Sequence, residues 1–340
     1  MKILKNGRRT LGALAAVAVA AGSQLFGLAP ANAATDIVVG TNAVGTNAVV
    51  QYAIDQGIFT KNGLNVSLKV SPAPPELVRL LAANQIQFMY IPFANALTAR
   101  TNGNLDIKIV APANGISAND AIRMKKDPVF AKVTDPSTIC VNPASGIKRG
   151  RDLNGKTIAI GSRGGLSELA FSEYMRNDGG DPKSVKWTIA GMQQGMDLVK
   201  RGLADASYGT TPFNSYCESL GMKILTQADY QIDPNGGPVA AWIATAKYIA
   251  ENPATVKAFQ KSMYEANLQL RNKANHEKFY QSASKMTRQP VEFFKTTKMP
   301  YYFTTITKAD VQTTANALQR NGLVVKPVDV PGILYTQYKP

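Results

Sequence analysis

The apolar positions of this 340-residue chain fall into short runs that end in small polar turns, and the runs recur. Asp36-Ile-Val-Val-Gly40 is echoed about 120 residues later by Thr157-Ile-Ala-Ile-Gly161, and both read as buried parallel strands entering a turn. Asn65-Val-Ser-Leu-Lys-Val70 is answered by Val185-Lys-Trp-Thr-Ile189, each followed by a helical stretch, 76–84 and 193–201. Leu77, Leu80 and Leu81 give the first stretch an apolar face at helical spacing. Phe88-Met-Tyr90 then leads to Pro92-Phe93-Ala-Asn95, as Ala206-Ser-Tyr208 leads to Pro212-Phe213-Asn214. Two strand-helix-strand-helix units at one offset predict an α/β fold of two similar lobes, each a mostly parallel sheet flanked by helices.

Residues 111–120 and 229–238, rich in Pro, Gly, Asn and Asp, suit two crossover segments. Beyond them the chain returns through the apolar run around Trp242, and 253–271, 277–286 and 308–319 read as helices. The expected organisation is a discontinuous lobe, 34–118 plus 237–340, with the second lobe, 119–236, inserted within it.

Open α/β sheets bind ligands beyond the carboxyl ends of their strands, so the strand-to-helix turns are the place to look. The first lobe offers Thr41, Asn42, Thr46 and Asn47 in one turn, Ser71 and Pro72 in the next, and Phe93 and Asn95 in the third. The second offers Ser162, Arg163 and Ser167, then Thr210 and Thr211. Gly161-Ser-Arg-Gly-Gly-Leu-Ser-Glu168 is the sharpest of these: small residues at a helix start let backbone amides approach an anion, with two hydroxyls and a guanidinium as further donors. It lacks the Gly-Lys-Ser/Thr ending of a nucleotide loop and the glycine spacing of a dinucleotide fold. Tyr90, Phe93, Tyr208, Phe213 and Trp242 lie beside the turns as candidate apolar lining, ranked below the hydroxyls because such residues are more often core.

The first 33 residues read differently. Lys2, Lys5, Arg8 and Arg9 precede an apolar run, 13–21, and a small-residue site at Ala31-Asn-Ala33, the layout of a secretory signal cleaved before Ala34. Nine continuous apolar residues are too few for a spanning helix. No cysteine is near for lipid attachment, so a soluble exported protein is expected, with Arg8-Arg9 leaving a twin-arginine route open beside the general one. Loss of those four cations lowers the formal net charge from +15 to +11.

That charge favours an anionic partner. Lys and Arg are nevertheless dispersed, and no recognition helix or zinc finger supports nucleic-acid binding. One histidine and two cysteines leave little for a metal site or a nucleophile triad, and His276, among Lys273, Glu277 and Lys278, reads as a solvated surface residue. No motif requires a cofactor, and a non-enzyme is expected. Cys140 and Cys217 can pair in an oxidising compartment or remain separate buried thiols, and the sequence leaves both open.

Ala53-Ile-Asp-Gln-Gly57-Ile-Phe59, Gly63-Leu-Asn-Val66, Asp152-Leu-Asn-Gly155-Lys156-Thr-Ile-Ala and Gly202-Leu-Ala-Asp205-Ala, in that order, resemble the nitrate/sulfonate/taurine branch of the periplasmic solute-binding proteins, grouped also with thiamine-precursor binders. The resemblance implies a type II periplasmic-binding-protein fold, monomeric, closing over a small solute and delivering it to the permease and ATPase of an inner-membrane ABC importer. It places Thr41 and Asn42, Ser71 and Pro72, and Gly161, Ser162 and Ser167 at ligand turns. A small sulfonate, nitrate or carboxylate anion is the first expectation for the solute. A neutral or cationic pyrimidine-type heterocycle is the alternative, to be favoured by acidic groups in the cleft. Residues 127–151 depart from the family by being longer and more polar.

Overall fold

The computed structural model describes residues 34–71, 74–127, 137–211 and 213–340; the expected leader and Pro72 lie outside them. The first sheet takes β1 (Thr35–Thr41), β2 (Leu64–Val70), β3 (Phe88–Pro92) and β4 (Ile107–Pro112) from the early chain, and a short strand β5 (Asn114–Ile116) follows. The second sheet consists of β6 (Ser137–Val141), β7 (Thr157–Ile160), β8 (Lys186–Ile189), β9 (Ala206–Thr210) and β10 (Lys223–Gln227). After β11 (Gly237–Pro238), β12 (Ala240–Thr245) returns to the first sheet, and β13 (Tyr301–Tyr302) joins β5 and β11 in a small third sheet.

The strand orders are β2-β1-β3-β12-β4 and β10-β6-β9-β7-β8, the same arrangement twice. In each, four strands run in one direction and the fifth, next to the edge, β12 or β6, pairs antiparallel to both neighbours. The inner strands β3, β6 and β9 are buried almost throughout, though of the three only β3 reads as a continuous apolar run, whereas the edge strands β2 and β8 are half exposed. Residues 127–151, atypical in sequence, thus supply β6, an inner strand of the second sheet.

The repeat carries through to the helices. Pro74–Ala82 joins β2 to β3 as Met192–Lys200 joins β8 to β9, within two residues of the spans read from sequence. Helices Phe93–Thr101 and Phe213–Ser219 follow β3 and β9. Near the C-terminus, Pro253–Leu270, His276–Thr287 and Lys308–Arg320 pack as helices where the pattern places them. The last is fixed at its start by a reciprocal cap, Thr307 Oγ1 accepting from the Asp310 amide while the Asp310 carboxylate accepts from the Thr307 amide. His276 is half-buried, its Nε2 3.1 Å from the Leu270 carbonyl oxygen, rather than freely solvated.

Cys140 on β6 and Cys217 on Phe213–Ser219 form a disulfide, with Cα atoms 6.0 Å apart and both residues fully buried. One apolar core continues from Leu77, Ile91 and Leu97 beside the first sheet to Ile158, Leu169 and Phe171 beside the second. Among the described residues no helix is long and apolar enough to cross a membrane.

Candidate functional site

Between the two sheets, at the carboxyl ends of their parallel strands, lies a cavity of about 340 Å³. It gathers Asn42, Thr46 and Asn47 after β1, Asn95 from the helix after β3, Ser162, Arg163 and Ser167 after β7, and Thr210 closing β9. The other candidates face elsewhere. Thr41 is buried within β1, and Ser71 is buried with its hydroxyl donating to Glu76. Thr211 is buried and offers its carbonyl to the Gly45 amide at 2.8 Å. Phe93 and Trp242 are wholly enclosed in the core. Trp242 lies on β12 directly opposite Tyr90 and packs edge-on against that ring at 5.6 Å, so it backs the cavity wall without lining it.

The donors of the turns are largely spent inside the protein. Asn47 Nδ2 donates to both the side chain and the carbonyl of Asn42, and Asn47 Oδ1 accepts from Thr46 Oγ1 at 3.1 Å. Asn95 reaches across from the first sheet to the second: its Nδ2 donates to Ser162 Oγ at 3.0 Å and its Oδ1 accepts from the Leu166 amide at 3.0 Å. Thr98 Oγ1 donates to the Gly164 carbonyl at 2.8 Å beside it. Gly164 has φ +66°, and a Cβ at Gly165 would stand 2.3 Å from Ser162 Oγ and 2.6 Å from Asn95 Nδ2, so the glycines permit this approach.

Arg163 requires a correction to its expected role. Its Nε and Nη2 both reach Glu168 Oε1 at 2.9 Å, and its guanidinium lies 5.8 Å from the centre of the Trp187 ring. Glu168, 1% exposed, also accepts from the Gly164 amide. The anion held at this helix start is therefore the protein's own carboxylate, and the guanidinium is already neutralised.

Four further lining residues are Tyr90, Asn114, Tyr208 and Asp229, two of them on inner strands and two in the crossover segments. Tyr90 on β3 donates its hydroxyl to Asn114 Oδ1, just past β4, at 2.7 Å. Tyr208 on β9 donates to Asp229 Oδ1, just past β10, at 3.2 Å. These are matching positions of the repeat, with a neutral amide in one half and a carboxyl in the other. Asp229 is 3% exposed, and burial pushes its carboxyl up to about 6, against the opposing hydrogen bonds of Ser137 and Tyr208. Burial, with the Asp229 charge second, raises the Tyr90 phenol far above its ordinary range. Pairing of tyrosines with residues more than 20 positions along is a tertiary event, and composition flagged 114 and 229 only as linker.

The model of the NMT1-like family matches residues 31–284. The chain belongs to the NMT1-like family. Comparison with curated protein sequences finds no match. Among solved structures, the NMT1-like chain is similar to the alkanesulfonate-binding protein SsuA from Xanthomonas axonopodis pv. citri bound to MOPS, with TM-score 0.70 and 14% identity, over 88% of this chain and 98% of that one. The periplasmic nitrate-binding protein NrtA from Synechocystis PCC 6803 aligns with TM-score 0.70 and 16% identity, over 88% and 86%. The desulfurization enzyme DszB aligns with TM-score 0.57 and 13% identity, over 88% and 96%. At such identities the likeness is one of fold, and that fold is the two-lobed periplasmic-binding-protein fold. The resemblance read from the sequence agrees with the family model and with these neighbours.

Proposed function

We propose that this NMT1-like protein is the exported, non-catalytic solute-binding component of an ABC-type importer. It would act in the periplasm as a soluble monomer, closing its two lobes over a small organic solute and passing it to a membrane permease driven by its ATPase. The observation that carries the proposal is the cavity itself, built from matching strand ends of two repeated sheets and bridged at its rim by Asn95 and Thr98. Closure of this kind removes the solute from water, which strengthens each polar contact made inside. Native mass spectrometry of freshly purified protein is expected to find a small molecule that leaves on denaturation. Protein that is uniformly empty, and unmoved in thermal shift by a broad solute library, would refute the role.

For the solute, the charge of the cavity favours a neutral or cationic compound, of which an amino-pyrimidine such as a thiamine precursor is one example. Glu168, buried behind the lining, already occupies the guanidinium of Arg163, and the lining acid Asp229 would repel an anion. A second reading, a sulfonate, taurine, nitrate or carboxylate anion held by Ser162 and Ser167, is favoured by the ligands of SsuA and NrtA. Thermal shift with alkane sulfonates, taurine, nitrate and aromatic carboxylates separates the two: stabilisation by any of them selects the anion.

A further inference from the structure

The two halves of the cavity floor follow one plan, a tyrosine from an inner strand donating to a side chain just past the last strand of its sheet. In the first half the acceptor is Asn114 and in the second it is Asp229. The geometry is met by an amide at one site, so the fold does not need a charge at the other. A buried carboxylate is costly, and it is retained in a cavity wall when something compensates it. Asp229 has no ion-pair partner among the described residues; its neighbours are the hydroxyls of Ser137 and Tyr208.

The donors of the surroundings are largely spent. Tyr90 and Tyr208 direct their O–H to Asn114 and Asp229. The amide donors of Asn47 and Asn95, the Gly164 amide and the Arg163 guanidinium are committed as described above. Around this floor the walls are apolar, with Val44, Leu77, Met89, Leu166 and Met192 among them. A group able to use such a site carries hydrogen-bond donors and a positive charge on an apolar body.

We infer that Asp229 is the charged anchor of the cavity and that the solute presents a protonated nitrogen to it, as an ammonium, an amidinium or a protonated amino-heterocycle. This rests on the solute-binding role and sharpens it to a chemical class.

Calorimetric titration of the purified, solute-stripped protein with shape-matched probes tests the assignment: benzamidine as cation, benzamide as its neutral counterpart, benzoate and benzenesulfonate as anions. Benzamidine is expected to bind about tenfold or more tightly than benzamide, as a hydrogen bond to a charged group allows, with the anions unbound. D229N, which copies the Asn114 arrangement, is expected to fold and to bring benzamidine down to the level of benzamide. Should D229N fail to fold, the ranking of the probes on the unmodified protein decides alone. Binding of benzoate or benzenesulfonate without benzamidine, or a D229N variant with the cation preference intact, overturns the inference and leaves the importer role standing. No binding of any probe overturns it as well, and a carried-over molecule in native mass spectrometry then shows that the solute-binding role survives.

Discussion

Asp229 and Asn114 occupy matching places after β10 and β4, and only the first can carry a charge. Burial raises the Asp229 carboxyl to about 6, whereas an unfolded chain holds an aspartate near its ordinary value of about 3.9. Between those values the folded form binds more protons than the unfolded one, so its contribution to stability is whole below about pH 4 and is lost as pH rises through about 6. Denaturant midpoints of the unmodified protein and D229N across pH 4 to 7 are therefore expected to diverge by up to about 3 kcal/mol, with the unmodified protein losing ground as pH rises. A pH-independent difference would mean that the carboxyl titrates normally. Arg163 gives the opposite lesson: its side chain is 61% exposed, yet it is tied to a buried glutamate five positions on, a spacing that matches no helical ladder and so escapes pattern reading.

At the scale of elements, the disulfide joins inner strand β6 to the helix Phe213–Ser219, which starts at the cavity turn after β9. It closes a loop with a sequence separation of 77 residues, for which loop entropy predicts about 4 kcal/mol of stabilisation. A C140S/C217S double variant is expected to unfold at a markedly lower temperature than the oxidised protein. An unchanged melting temperature would show that burial in the small core around Met196 and Met222 holds the helix without the bond. Strands β3, β7 and β12 were legible because they are buried on both faces and read as near-continuous apolar runs, whereas β6 and β9, buried as deeply, carry Ser and Thr among their residues. That same property hid which residues meet the cavity: on such a strand no alternation tells one face from the other, so Tyr90 lines it while Trp242, its direct partner across the sheet, lies in the core.

For the whole molecule, the question is what holds the two sheets together across the cavity. Asn95 contributes two hydrogen bonds to the turn after β7, and elsewhere the buried Glu173 accepts at both carboxylate oxygens from the half-exposed Arg320 of the helix Lys308–Arg320. The main chain adds the Gly45 amide to the Thr211 carbonyl. With each neutral hydrogen bond contributing about 1 kcal/mol, N95A is expected to weaken closure by about 2 kcal/mol. Small-angle scattering of the solute-free variant should then show a larger radius of gyration, and an unchanged radius would show that the Glu173–Arg320 pair alone governs closure. The proposed inserted lobe, 119–236, would be the part that moves. The sequence by itself determined the repeated α/β plan, the parallel strands and the donor-bearing turns, because burial periodicity and small-residue turns are local properties that a linear pattern records. Only the tertiary structure decided that Arg163 is neutralised, that Trp242 is core, and that Tyr208 meets Asp229 at the cavity floor. Those outcomes depend on partners distant in sequence, and on which face of a sheet another sheet covers.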